Sequence, residues 1–190
     1  MPASSPSTTL YTLGRGILYV GSWTGATPPV AVTTDVGNCP KFDVEVTEEK
    51  LDHFSSRTGI KTKDKTVTLQ AGYTLAFDLD EISMYNLAQY LRGTLVTASQ
   101  ISAMTALDAE YALKFVANNP AGPSETWHFY RVRLTPGGAF SLIADEWTKM
   151  SFSGEGLSDV ANHATSPYFT VELSSSSSSC RSSSSSSALP

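Results

Sequence analysis

The chain has 190 residues, enough for one domain with a full hydrophobic core. A hydrophobic share of 41% suits a globular protein, while a charged share of 16% leaves a surface of Ser, Thr, Gly and small apolar groups. The net charge of -5 argues against a protein that grips DNA phosphates with clustered Lys and Arg, and no apolar run reaches membrane-spanning length.

Residues 1–12 are rich in Ser, Thr and Pro and read as an N-terminal arm. Met1 to Pro6 carry neither a basic region nor an apolar one, so no signal peptide is expected. Ile17 to Val20, fenced by Gly16 and Gly21, read as a strand, and the Gly and Pro content from Trp23 to Pro29 as a loop. Phe42, Val44 and Val46 alternate with polar residues, the pattern of a half-buried strand. The clearest alternation places Val67, Leu69, Ala71, Tyr73, Leu75, Phe77 and Leu79 on one face of a long strand, with Gly72 as the expected bulge or bend.

A helix is predicted over residues 81–92. Met84, Leu87, Ala88 and Leu91 form one stripe, Asp80 is the expected cap, and Gly93 the stop. Further strands are expected at Tyr111 to Phe115, Trp127 to Leu134, Lys149 to Ser153 and Tyr168 to Leu173, with a hairpin turn at Pro136-Gly137-Gly138. The sum is a mainly β fold, an antiparallel sandwich or barrel with one packed helix. Residues 174–190, dominated by serine, have nothing to bury and are expected to be a flexible tail. Cys39 and Cys180 read as free thiols of a protein made in a reducing cytoplasm.

No active site, metal site or cofactor site is expected. His53, His128 and His163 lack metal-type spacing, and a triad of His163, Ser166 and Asp159 lacks a nucleophile elbow. Glu48-Glu49, Asp80-Glu81 and Asp145-Glu146 are sequence neighbours whose side chains diverge, which does not make a catalytic pair. Neither Gly14-Arg15-Gly16 nor Gly137-Gly138 is followed by the lysine of a phosphate loop.

Residues 41–65 stand apart. Acids dominate the first part, with Asp43, Glu45, Glu48, Glu49 and Asp52; bases dominate the second, with Arg57, Lys61, Lys63 and Lys65. His53 and Phe54 lie between. A solvated loop is one reading. The sharper one is an assembly device, because a subunit with opposite charges on two sides joins head to tail, closing into rings or continuing as filaments.

Leu13-Gly14-Arg15-Gly16-Ile17-Leu18-Tyr19-Val20 resembles the opening strand of the tail tube proteins (major tail proteins) of long-tailed bacteriophages. Asp35 to Pro40 resembles their early turn, Glu48 to Ser56 the start of their stacking loop, and Asp80-Glu81-Ile82 with Asn86-Leu87-Ala88 the helix after the long strand. The likeness runs in order from residue 13 to about 95, then fades to a general β pattern.

The resemblance implies a non-enzymatic structural subunit: a β-sandwich domain over residues 13–173, in stacked homo-hexameric rings. Glu48, Glu49, Asp52, His53, Phe54, Arg57, Lys61, Lys63 and Lys65 would serve inter-ring stacking. It further implies a sheet-lined bore that DNA traverses without specific binding during ejection; Asp78, on the polar face of the long strand, is the candidate lumen-facing residue. The place would be the virion tail, assembled in the host cytoplasm, with tape-measure, tail-terminator and baseplate or tail-tip proteins as partners and no membrane. Two alternatives stay open: a tube subunit of a contractile tail or secretion apparatus, and a carbohydrate-binding β sandwich whose platform is Trp23, Trp127 and Trp147.

Overall fold

The computed structural model describes residues 8–25, 32–57 and 59–174. Among these residues ten strands and one α-helix follow a short 3-10 turn at Thr8–Leu10. The strands are β1 (Gly16–Ser22), β2 (Thr34–Asp35), β3 (Lys41–Ser55), β4 (Thr62–Leu79), β5 (Thr94–Thr97), β6 (Gln100–Ser102), β7 (Tyr111–Ala117), β8 (Ser124–Pro136), β9 (Met150–Gly156) and β10 (Phe169–Ser174). The helix α1 is Met84–Tyr90, between β4 and β5.

One antiparallel sheet runs β2-β1-β7-β8-β9-β4-β3, with β10 also on β8, and β5-β6 form a separate hairpin. The long β8 makes the architecture. Ser124 to Phe129 pair with β10, whereas Val132 to Pro136 pair with β9. Two layers therefore share β8, one made of β1, β7 and β10 and the other of β9, β4 and β3. The result is sandwich-like and does not close into a barrel.

Alternation explains which side chains meet between the layers. Leu18 and Val20 of β1, Leu113 of β7 and Phe129 of β8 face Tyr73, Leu75, Phe77 and Leu79 of β4 and Phe152 of β9, and all are buried. Phe77 stacks on Phe152 at 4.9 Å and Tyr73 meets Phe169 edge-on at 5.2 Å. Phe42 stacks on Phe115 at 5.4 Å, which ties β3 of one layer to β7 of the other. Each such ring contributes a few kcal/mol of burial, roughly 1.5–3 relative to exposure.

The helix is shorter than its sequence pattern. Ser83, not Asp80, caps it: the Ser83 hydroxyl accepts from the Asn86 amide at 3.1 Å. Asp80 is occupied elsewhere, accepting both bonds from the Asn38 side-chain amide at 2.8 and 2.7 Å. The end is a Schellman motif in which the Arg92 and Gly93 amides donate back to the Gln89 and Ala88 carbonyls. Arg92 takes the left-handed conformation, at φ +48°.

The buried face also differs from the predicted stripe. Leu91 is exposed, and Asn86, Gln89 and Tyr90 are buried beside Ala88. Asn86 can be buried because its amide donates to the carbonyls of Val36 and Glu81 at 2.8 and 3.0 Å. Gly37, at φ +85°, lets the turn before β3 approach Glu81, so this corner is fixed on both sides.

Two other expectations are revised. Gly72 stays in register with Thr47, and the β3–β4 irregularities fall at Glu49/Lys50 and His53/Phe54. Pro136 ends β8, but the β8–β9 connection is the whole of residues 137–149, not a tight turn. The serine tract from residue 175 onward and Cys180 lie outside the described residues.

Candidate functional site

The segment expected to be a loop is a continuation of two strands. β4 pairs with β9 from Thr74 to Leu79, but Thr62 to Tyr73 have β3 as their only strand neighbour among the described residues. Thr62 to Gly72 make a two-stranded arm about 36 Å long at the usual strand rise, with Tyr73 already buried at its base. Its described tip is Ser56, Arg57, Gly59, Ile60 and Lys61.

The antiparallel pairing sets the acidic and basic halves side by side. Asp52 bonds Lys63 at 2.7 Å and accepts from the Thr66 hydroxyl at 2.8 Å; these contacts, Lys63 first, hold its carboxyl below the usual range. His53 meets Asp64 at 2.6 Å, and Glu48 meets Lys50 at 2.5 Å. The Glu48 contact raises the Lys50 ammonium. Three pairs thus form inside the arm. Arg57, Lys61, Lys65 and Glu49 have no ion pair with another described residue.

The same pairing sorts the apolar residues. Register partners share a face, so Asp52 lies with Thr66, whereas Leu51 lies with Val67 on the other side. Both are exposed, as are Phe54, Ile60 and Leu69. Phe54 faces Lys63 in register. The apolar alternation continues past the point where a second layer exists to cover it.

The outward face of β3, β4 and β9 is a second distinctive surface. It carries Asp43, Glu45 and Glu49 from β3, Asp78 from β4 and Glu155 from β9. On the part of this face that β9 borders, the base is Lys41, bound by Asp43 at 3.0 Å, and farther along the arm Lys50 shares the face, in register with Thr68. Thr47, Thr74, Ser151 and Ser153 fill much of the rest. Asp78 lies between Lys41 and Ser151 in register.

Reactive groups are placed differently. Asp159 is buried and does meet His163, at 3.2 Å. The Ser166 hydroxyl, however, donates to the Phe169 carbonyl at 2.7 Å, and the His163 ring stacks on Tyr130 at 3.5 Å. Burial pushes the Cys39 thiol up to about 11, leaving it a protonated and poor nucleophile at neutral pH. It borders an open cavity of about 250 Å³ lined by Phe42, Val44, Phe115 and Trp127. Among the described residues no three His, Cys, Asp or Glu side chains gather as a metal site.

The three tryptophans sit on separate elements. Trp23 lies under the Arg131 guanidinium at 4.3 Å, Trp127 stacks on Phe129 and Phe169, and Trp147 is in the β8–β9 loop. No ring contact joins two of them among the described residues. Arg131 is itself held by Glu110 at 2.6 and 2.8 Å.

No curated protein matches this chain. Among solved structures it is similar to the sheath/tube terminator of an extracellular contractile injection system (PVC), at TM-score 0.45 and 10% identity over 85% of this chain and 97% of that one. It is also similar to a chain of the PVC sheath-tube complex, at TM-score 0.42 and 9% identity over 90% and 94%. The tube-terminating cap of the anti-feeding prophage gives 0.43 and 10% over 91% and 99%. The family model described as "Protein of unknown function UCP028589" matches residues 11–99 and 95–172, and the chain belongs to that family.

Proposed function

We propose that this chain is a non-enzymatic structural subunit of a phage-type tail tube, assembled as stacked homo-hexameric rings around a bore for DNA. The carrying observation is the arm: two strands extended well past their covering layer, with exposed Leu51, Phe54, Ile60, Val67 and Leu69. An isolated two-stranded ribbon is marginal in water, and apolar side chains on it call for a partner surface. A neighbouring copy in the next ring supplies one.

The acidic outward face of β3, β4 and β9 supports the bore. Duplex DNA carries about one negative charge per 1.7 Å of axis, so a Lys- and Arg-rich wall would hold it. A wall of Asp, Glu, Ser and Thr repels or merely wets it, and transit stays fast. Asp78 sits on this face. In the same reading the terminator, tape-measure and tail-tip proteins are the further partners, the mature location is the virion tail, and the tail is non-contractile.

The test shortens the arm within its own register. Residues 49–70 are replaced by Asn-Gly, joining Glu48 to Ala71, which are partners across the hairpin. The variant is expected to fold as the parent does, by circular dichroism, and to form no tubes in negative-stain microscopy. Long tubes from the shortened chain would remove the stacking role.

A further inference from the structure

We propose that the β8–β9 loop, residues 137–149, is the seat that receives the arm tip of a second copy of this chain. This rests on the tube reading and adds to it the surface at the other end of the contact.

The loop presents three large apolar side chains within six residues: Leu142 is 85% exposed, Ile143 95% and Trp147 93%. A monomer has no use for such a cluster in water. The frame beneath it is anchored. Phe140 packs on Tyr90 at 5.7 Å, the Tyr90 hydroxyl donates to the Gly138 carbonyl, and the Gly137 amide donates to Ser151 at 2.7 Å. The apolar residues are therefore held outward by a fixed base.

The position fits a head-to-tail contact. β4 starts at the tip, at Thr62, and ends at Leu79 beside Met150, where the loop enters β9. Tip and loop thus lie at opposite ends of one strand, on the order of 50 Å apart at the usual rise. A copy displaced along that strand brings its tip onto the loop of its neighbour. Two different patches meet, so the contact repeats without closing.

The chemistry fits as well. The tip offers Ile60 with Arg57 and Lys61, and the loop offers Ile143 and Trp147 with Asp145 and Glu146. None of these four charges has an ion pair with another described residue. Base meets acid around an apolar centre, which fixes orientation and rejects the reversed pairing. Lys149 at the end of the loop leaves it two acids to one base.

Charge exchange on the full chain tests the pairing. The tip variant carries Arg57→Glu and Lys61→Glu, the loop variant Asp145→Lys and Glu146→Lys, and a third protein all four. Tube mass by sedimentation and microscopy is expected to fall about tenfold or more in either partial variant and to return to within about twofold of wild type in the third. Ile143→Ser with Trp147→Ser is expected to leave the fold intact and abolish tubes. Normal tubes from every variant would overturn the seat while leaving the tube reading standing. So would failure of the four-fold variant to recover although its monomer melts like wild type. Wild type that assembles at no concentration would overturn the tube reading and the seat with it. Tubes indifferent to the loop serines, combined with co-sedimentation of wild type on phosphatidylcholine vesicles, would give the loop to a lipid surface and overturn the proposal.

Discussion

The base and the arm of the β3–β4 hairpin are the same two strands in different surroundings. At the base, Tyr73, Leu75, Phe77 and Leu79 are sealed under β7, β8 and β10, and Tyr73 is 2% exposed. A few residues on, Leu51 is 60% exposed opposite Val67, also open to solvent. Both stretches alternate apolar and polar residues; the base has a covering layer within the chain and the arm has none. An apolar pattern reports that a face will be covered, and does not say by which molecule. The base is where the protomer spends its pattern on folding, and the arm is where it keeps apolar surface for assembly.

Substitutions separate the two regions. Phe77→Ala, which removes the ring stacked on Phe152, is expected to cost about 3–5 kcal/mol in denaturant unfolding. A loss under about 1 kcal/mol would mean the base is not the core it is described to be. Gly156→Ala probes the border, because a Cβ there would overlap the ring of Tyr73, the last buried residue before the arm. Overpacking is expected to cost about 1–3 kcal/mol, with unchanged stability pointing to slack where arm and base join. Leu51→Ser with Val67→Ser is expected to move monomer stability by no more than about 0.5 kcal/mol while tube yield collapses. A large stability loss from that pair would show the arm folding on its own protomer.

Much of the fold was legible in residue order. The alternation of Phe42 with Val44, and of Tyr73 through Leu79, marked β3 and β4, and strands were expected where β1, β7, β8, β9 and β10 occur. The short β2 and the β5–β6 hairpin were not expected, since two to four exposed residues carry no period to read. The helix was legible as a helix, but its cap was not. Asp80 and Ser83 are both good caps, and the choice fell to Ser83 because Asp80 is engaged by Asn38, forty-two residues away in sequence.

Residues 41–65 were singled out by their charge pattern, and their ion pairs became visible only in the folded arm, where Asp52 reaches Lys63 and His53 reaches Asp64 around the irregularity at His53/Phe54. Trp147 was named only as part of a sugar platform, and its exposed neighbours Leu142 and Ile143 were missed because a tight turn was expected at Pro136-Gly137-Gly138 where a thirteen-residue loop follows β8.

By itself the sequence determined that the chain is β-rich, that one helix interrupts it, and that a charged segment between two alternating stretches is unusual. These are local properties, set by period and by the conformational limits of each residue type. Only the tertiary structure decided that β8 serves both layers, that the charged segment is a projecting arm, and that its tip and the 137–149 loop lie at opposite ends of one strand. Those facts depend on which distant strands pair, and pairing is settled by covering apolar area from the whole chain at once, a sum no single window of sequence contains.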